Sequence, residues 1–245
     1  MSRRPDNWNT IYSRVLKAEH DFGMLGNGDR VLIGLSGGAD SLTLLDMLAR
    51  QQKILHRKLG ITVVAGHVPG RYKGKPIALV ATLQTIRDSL RVVLHISPGE
   101  LKDDAFKDCF VCSHARRKLL FDLAESQRCN KIALGHNADD MVETALLNIL
   151  YAGRFAALHP RQPLFKGKLT VIRPLSYLWK SQITGYCRQR FGKIRQFKCP
   201  GGAASKRIMI RKLLTRLEKD GSPVRANLLG AIANPKPEYL PVLPR

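Results

Sequence analysis

Short apolar, β-branched runs recur along the chain at Val31–Leu35, Ile61–Val68, Val92–Ile96, Ile132–Gly135 and Thr170–Ile172. Between them the leucines fall at helical intervals, as in Leu42/Leu45/Leu48 and Leu119/Leu123. Strands alternating with helices of this length predict βαβ units and a parallel α/β sheet. "YKGKPI" (Tyr72–Ile77) and "HPRQPLFKGK" (His159–Lys168), rich in Pro, Gly and Lys, read as surface loops. From Trp179 onward the pattern is mostly helical. It breaks at "KCPGG" (Lys198–Gly202), and the four prolines of the ending "NPKPEYLPVLPR" rule out further helix. The chain accordingly divides into an α/β domain over 1–178 and a basic helical region over 179–245.

In open parallel sheets, ligands sit beyond the carboxyl ends of strands, and two polar loops fall there: Ser36–Ser41 and His136–Asp140. In "LSGGADSLTLLDML" (Leu35–Leu48) two glycines let the backbone approach a ligand, and a helix starting at Leu42 aims a positive dipole end into the loop. That combination suits the phosphates of a nucleotide. Neither G-x-x-x-x-G-K-[ST] nor G-x-G-x-x-G is present, so the loop taken alone reads equally as a capped strand-to-helix turn. In "ALGHNADDMVETALLNILYAGR" (Ala133–Arg154) a helix starts near Ala138, with His136, Asp139 and Asp140 at or before its first turn and Glu143 one turn on. Two acids there can simply complement a helix dipole, but acids beside a phosphate cradle point to a bridging Mg²⁺.

Composition adds a partner. The chain has 245 residues, 44% of them hydrophobic, enough for one sizeable core, and a formal charge of +22. The excess is uneven: Thr144 to Leu217 holds sixteen Lys or Arg and no Asp or Glu. A stretch of that length without an acid points to a polyanion, most simply RNA or DNA, rather than to a solvated helix face, with a membrane surface as the weaker alternative. Its candidate contacts are Lys206, Arg207, Arg211 and Lys212, with Arg116, Arg117 and Lys118 as a second stretch. No run is apolar enough to span a membrane, and "MSRRPDNWNTIYSRV" lacks the apolar segment of a signal peptide, so a cytosolic protein is expected.

Five cysteines in such a chain argue against a disulfide framework and for metal or redox chemistry. Cys109 and Cys112 form C-F-V-C, a spacing that sets two thiolates on one side of a turn. Cys199, in the glycine-flanked "KCPGG" loop, is the third candidate ligand, whereas Cys129 and Cys187 have helix-like neighbours and read as ordinary packed or surface thiols. Three thiolates suit a [4Fe–4S] cluster with one open iron; His114 would complete a Cys₃His zinc site as the alternative.

"SGGADS" resembles the SGGxDS signature of the PP-loop ATP pyrophosphatases, which cleave ATP between its α- and β-phosphates. With "CFVCSHARRKLL", "IALGHNADDMVETALLNILYAGR" and "VIRPLSYLWKSQI", the chain resembles the TtcA-type subgroup, the tRNA 2-thiocytidine synthetases, from "DFGMLGNGDRV" to "VRANLLGAIANPKPEYL". The resemblance implies a Rossmann-like PP-loop fold and an ATP site lined by Ser36, Gly37, Gly38, Asp40 and Ser41, joined across the rim by Gly135, His136 and Asp139. It also implies a [4Fe–4S] cluster on Cys109, Cys112 and Cys199, catalysis involving Asp40 and these cysteines, ATP with Mg²⁺, tRNA as substrate, and a cysteine desulfurase or sulfide as sulfur donor. It leaves open a homodimer, and equally a persulfide-type thiolase, a lysidine-type ligase or a silent RNA-binding homologue. Three departures stand out: Ala39 where many members have Lys, Asn137 in place of a second His, and Gln196 where members often have a further Cys. With Ala39, the cation near the phosphates has to come from Mg²⁺ or from a Lys or Arg elsewhere in the chain.

Overall fold

The computed structural model describes residues 7–78, 83, 88, 90–107, 109–194 and 206–239. Its strands are β1 (Arg30–Gly34), β2 (Thr62–His67), the short pair β3 (Arg71–Tyr72) and β4 (Lys75–Pro76), β5 (Leu94–Ile96), β6 (Lys131–Ala133), β7 (Arg161–Leu164) and β8 (Leu169–Ile172). Its helices are α1 (Trp8–Asp21), α2 (Ala39–Leu59), α3 (Cys109–Ser126), α4 (Ala138–Ala152), α5 (Lys180–Phe191), α6 (Lys206–Leu217) and α7 (Val224–Ala233). The main sheet runs β5-β2-β1-β6-β8-β7, parallel except for β7. Strand order reverses between β1 and β6, so the loops leaving these neighbours open at one crevice beside the carboxyl end of the sheet.

The apolar runs become strands because a central parallel strand is covered on both faces and needs no alternation. Val31, Leu32 and Ile33 are fully buried, and their partners across the ladders, Val63, Val64, Ala65 and Ile132, are buried as well. One core, holding α1, α2 and α5, covers one face; a second, built from Leu120, Leu123 and Ala124 of α3 with Leu32, Val64 and Ile132, covers the other.

Three expectations change. "HPRQPLFKGK" contains β7, an antiparallel edge strand pairing Arg161 with Ile172 through Leu164 with Leu169. Its side chains lie mostly outward and Pro163 is tolerated because the edge leaves one side of the backbone unpaired, so no apolar alternation marks it. "YKGKPI" holds the β3–β4 hairpin, turned on Lys73 and Gly74 at positive φ. Helix α2 begins at Ala39 rather than Leu42, which puts Asp40 and Ser41 inside its first turn.

Residues 180–191, read from the sequence as part of the C-terminal region, lie in the main core: Ile183, Tyr186 and Cys187 of α5 are buried against α2. Asp46 of α2, fully buried, locks the two helices together by accepting hydrogen bonds from the Tyr186 hydroxyl and from Arg190 Nε at 3.2 Å, while Arg50 Nε binds its other oxygen at 2.9 Å. Helices α6 and α7 pack separately on α4, where Ile210 and Leu214 meet Val142. The expected break at Lys198–Gly202 and the end of the proline-rich tail lie outside the described residues. No described helix is long and apolar enough to cross a membrane.

Candidate active site

Between β1 and α2 the chain turns on Gly37, whose φ of +83° lies in the left-handed region that glycine adopts without strain. Ser41 in the first helical turn ties the loop down: its Oγ donates to the Gly38 carbonyl at 3.0 Å and accepts from the Ser36 amide at 3.2 Å. The Ser36 and Ser41 hydroxyls are 3.1 Å apart, at the end of a helix whose first amides have no intrahelical partner. The result is a small polar cradle with a positive dipole end.

The second loop presses directly on it. A Cβ at Gly135 would lie 3.0 Å from the Asp40 carbonyl carbon and Cβ and 3.1 Å from the Ser41 amide, so any side chain there would force the two loops apart. Two residues on, Asn137 caps α4: its Oδ1 accepts from the Asp139 amide at 3.0 Å, and Asp140 Oδ2 accepts from the Asn137 amide at 3.1 Å, a reciprocal capping box. The remaining Asn137 donor reaches Asp40 Oδ1 at 3.3 Å. One side chain thus both starts α4 and steadies the acid of the neighbouring loop.

A third segment, after β8, completes the rim. Arg173, buried, donates from Nε to His136 Nδ1 at 3.3 Å, from Nη2 to Gln162 Oε1 at 3.1 Å, and from Nη1 to the His159 carbonyl. Burial, with the Arg173, Arg207 and Arg117 charges around it, pushes the His136 imidazole down to about 3, so the ring is neutral at physiological pH. Lys180, the first residue of α5, donates its amide to Asp139 Oδ2 at 2.7 Å and sets its ammonium against Asp40 Oδ2. Burial raises the Asp40 carboxyl above its usual range, opposed by the Lys180 ammonium and the Asn137 amide.

Each acid on this rim meets a base from the C-terminal helices or the residues leading into them. Lys180 faces Asp40, Arg225 Nε is 3.3 Å from Asp139, and Arg207 Nη1 is 3.2 Å from Asp140. Arg211 grips the buried Glu143 with two bonds, at 2.7 and 2.9 Å. Of the residues expected to contact RNA, Arg207 and Arg211 therefore hold carboxylates, whereas Arg117, Lys118, Lys206 and Lys212 are exposed, with Lys206 also lying over the Tyr151 ring at 4.4 Å. Arg116 is half-buried, its Nη2 at 3.8 Å from the Cys112 sulfur.

Cys112 is buried one turn into α3, which opens at Cys109; Cys199 lies outside the described residues. His114 faces solvent. Among the described residues no three His, Cys, Asp or Glu side chains gather as a metal site. Cys129 and Cys187 are both buried, and burial raises the thiol of each, that of Cys187 to about 11. Sequence reasoning passed over Asn137 as a cap, Arg173 and Lys180. An Asn directly before "ADD" is a helix-start signal; the other two lie within "VIRPLSYLWKSQI", a segment that the resemblance marks without giving either residue a role.

A family model described as a PP-loop domain matches residues 9–216. A tRNA-cytidine(32) 2-sulfurtransferase of Geobacter sulfurreducens is 36% identical over 236 residues, covering 94% of this chain and 91% of that protein. Another protein of that name, from Alkalilimnicola ehrlichii, is 34% identical over 228 residues, covering 91% of this chain and 72% of its own length. Among solved structures, the U34-tRNA thiolase NcsA from Methanococcus maripaludis with its [4Fe-4S] cluster superposes with a TM-score of 0.71 at 19% identity, over 91% of this chain and 77% of that one.

Proposed function

This chain belongs to the PP-loop family, beside relatives that are tRNA-cytidine(32) 2-sulfurtransferases, and on that premise we propose that it is an enzyme replacing the C2 oxygen of a tRNA cytidine with sulfur, using ATP. The observation that carries this reading is the close contact of Gly135 with Asp40 and Ser41, which brings two polar loops together at the switch point of the sheet, where a helix N-terminus can take phosphate.

A pyrimidine C2 oxygen leaves poorly, so activation precedes substitution. The base oxygen attacks the α-phosphorus of ATP, the bond from that phosphorus to the bridging oxygen breaks, and pyrophosphate departs. Sulfide then adds at C2 and AMP leaves with the original oxygen; no atom changes oxidation state, so no oxidant is needed. The Ser36 and Ser41 hydroxyls and the first amides of α2 hold the phosphates, and neutral His136, fixed by Arg173, shapes the opposite wall without adding charge. The Asp40 carboxylate would hold Mg²⁺, which when bound would supply positive charge to the phosphates.

Cys109, Cys112 and Cys199 would hold a [4Fe–4S] cluster, which when bound supplies an iron without a protein thiolate as a seat for sulfide. The part of this set that is described suits such a group in placement: Cys112 lies three residues after Cys109 in the first turn of α3, with the Arg116 guanidinium beside its sulfur. The zinc alternative would need His114 as a fourth ligand beside the same three cysteines. The sulfur source is sulfide itself, or a cysteine desulfurase whose persulfide sulfur is first reduced to sulfide by an external thiol that leaves as a disulfide, and the reaction is placed in the cytosol with its tRNA.

The deciding experiment incubates the protein anaerobically with ATP, MgCl₂, sulfide and unmodified tRNA and reads the digested nucleosides by mass spectrometry. One 2-thiocytidine per pyrophosphate released is expected. Pyrophosphate release that requires lysine would make it a lysidine-type ligase, and no release would make it a silent RNA-binding homologue.

We assign the tRNA phosphates to Arg117, Lys118, Lys206 and Lys212. Replacing Lys206 and Lys212 with alanine should weaken tRNA binding and flatten the log–log dependence of affinity on salt by about 1.4–1.8, at roughly 0.7–0.9 per phosphate contact. An unchanged slope would move the RNA to another face. Arg207→Ala with Arg211→Ala should act differently, by undocking α6, because Glu143 would stay buried without its partner.

A further inference from the structure

The cradle Ser36–Ser41 contains no Lys or Arg, yet the triphosphate it faces carries several negative charges. Some cation must meet them, and the described bases on the rim are not equally placed to do so. Arg211 is fixed on buried Glu143 by two bonds, Arg207 reaches both Asp140 and Glu143, and Arg225 is shared between Asp139 and Glu218, so these three hold α6 or α7 in place. Arg173 is buried and committed to His136, Gln162 and the His159 carbonyl. Lys180 differs. Its side chain is 45% exposed, Asp40 is its one carboxylate partner among the described residues, and that partner stands in the first turn of α2.

The backbone of Lys180 is anchored while its charge is not. Its amide is held by Asp139 Oδ2 at 2.7 Å, and the preceding Trp179 amide donates to Gln182 Oε1 at 3.0 Å. The rest of α5 is locked to α2 through Asp46, Tyr186 and Arg190. A lysine carries a compact charge on four rotatable methylenes, so from a fixed Cα it can change partners within a few ångströms, which a bidentate arginine pair resists.

We propose that Lys180 is the phosphate-binding cation of the nucleotide site, delivered from α5 to a loop that has Ala39 where a cation could have stood, and that it exchanges Asp40 for the phosphates when nucleotide binds. The exchange leaves the Asp40 carboxylate open to a metal ion. Both sides of the swap exchange one charged partner for another, so neither Lys180 nor Asp40 is stranded. The inference rests on the ATP site proposed above and adds to it a residue 140 positions away from Asp40.

The test is calorimetric binding to the full-length protein, with EDTA present, of a non-hydrolysable α,β-methylene ATP analogue, of pyrophosphate and of adenosine. Lys180→Met should weaken the analogue and pyrophosphate by about tenfold or more, as loss of a charge-assisted bond implies, and leave adenosine within about twofold. Lys180→Arg, which keeps the charge, should recover most of the loss. If wild-type protein binds the analogue and Lys180→Met binds it equally well, the lysine is only an ion-pair partner of Asp40 and the inference fails while the ATP site stands. If adenosine weakens in parallel with the phosphates, the residue acts by shaping the site, and the inference fails in that way. If wild-type protein binds none of the three, the ATP reading itself falls. Lys180→Gln, with thermal melts of every variant, guards against a methionine variant that does not fold.

Discussion

Asp40→Ala should lower tRNA-dependent pyrophosphate release by about 10²–10³ or more, the range found when one preorganised electrostatic group is removed from a reacting centre. The carboxylate stands in the first turn of α2, with Asn137 Nδ2 at 3.3 Å on one oxygen and the Lys180 ammonium on the other. Removing it takes away the seat for a metal ion while freeing the lysine. Turnover should therefore collapse although metal-free ATP binds as tightly as before or more tightly, and tRNA affinity stays within a few-fold. Stability should change little, since a pair this exposed is worth about 0–1 kcal/mol. Turnover equal to wild type would remove Asp40 from the mechanism. A fall in ATP affinity matching the fall in rate would make it a binding residue only.

The second large effect concerns sulfur. Serine at Cys109, Cys112 or Cys199 should abolish both the visible absorbance of anaerobically reconstituted protein and the formation of 2-thiocytidine, because a hydroxyl is a far poorer iron ligand than a thiolate. Alanine at Cys129 or Cys187 should preserve both. Those two thiols are closed in: Cys187 sits in the main core within α5, Cys129 lies behind β6 beneath α3, and burial keeps each protonated. Alanine is chosen there because a buried unpaired hydroxyl would destabilise the core for reasons unrelated to sulfur. Colourless protein that still thiolates tRNA and depends on one or two cysteines would replace the cluster with a persulfide. Zinc-loaded protein that thiolates would leave the nucleotide and RNA assignments in place and remove the iron.

The sheet was legible because its central strands are buried on both faces, and such strands appear in the sequence as unbroken apolar runs; Val31–Ile33 and Ile132 are examples. β7 was not, because Arg161-Gln162-Pro163-Leu164 has the composition of a loop and owes its conformation to pairing with β8. Both rim loops could be read, since small and polar residues between a strand and a helix have few other uses. What closes the rim could not. Lys180 and Arg173 lie far along the chain from Asp40 and in another segment from His136, and only the packing of α5 and the end of β8 brings them in. The charge count did not show that Arg207 and Arg211 pair with carboxylates. The acid-free stretch begins immediately after Glu143, so the acids those arginines serve stand just outside its border, on the facing helix.

Asp40, Asp139, Asp140 and Glu143 each meet at least one of Lys180, Arg225, Arg207 and Arg211, so the acids of the mouth are offset locally within a protein of formal charge +22. On this reading the long-range field that gathers a polyanion originates on the other surface lysines and arginines and is screened within about 8–10 Å at physiological salt. Capture and chemistry would then be governed by separate sets of charges. Ionic strength acts on how often an RNA arrives, while the nucleotide meets a site whose charge is balanced locally and changes only as individual partners exchange.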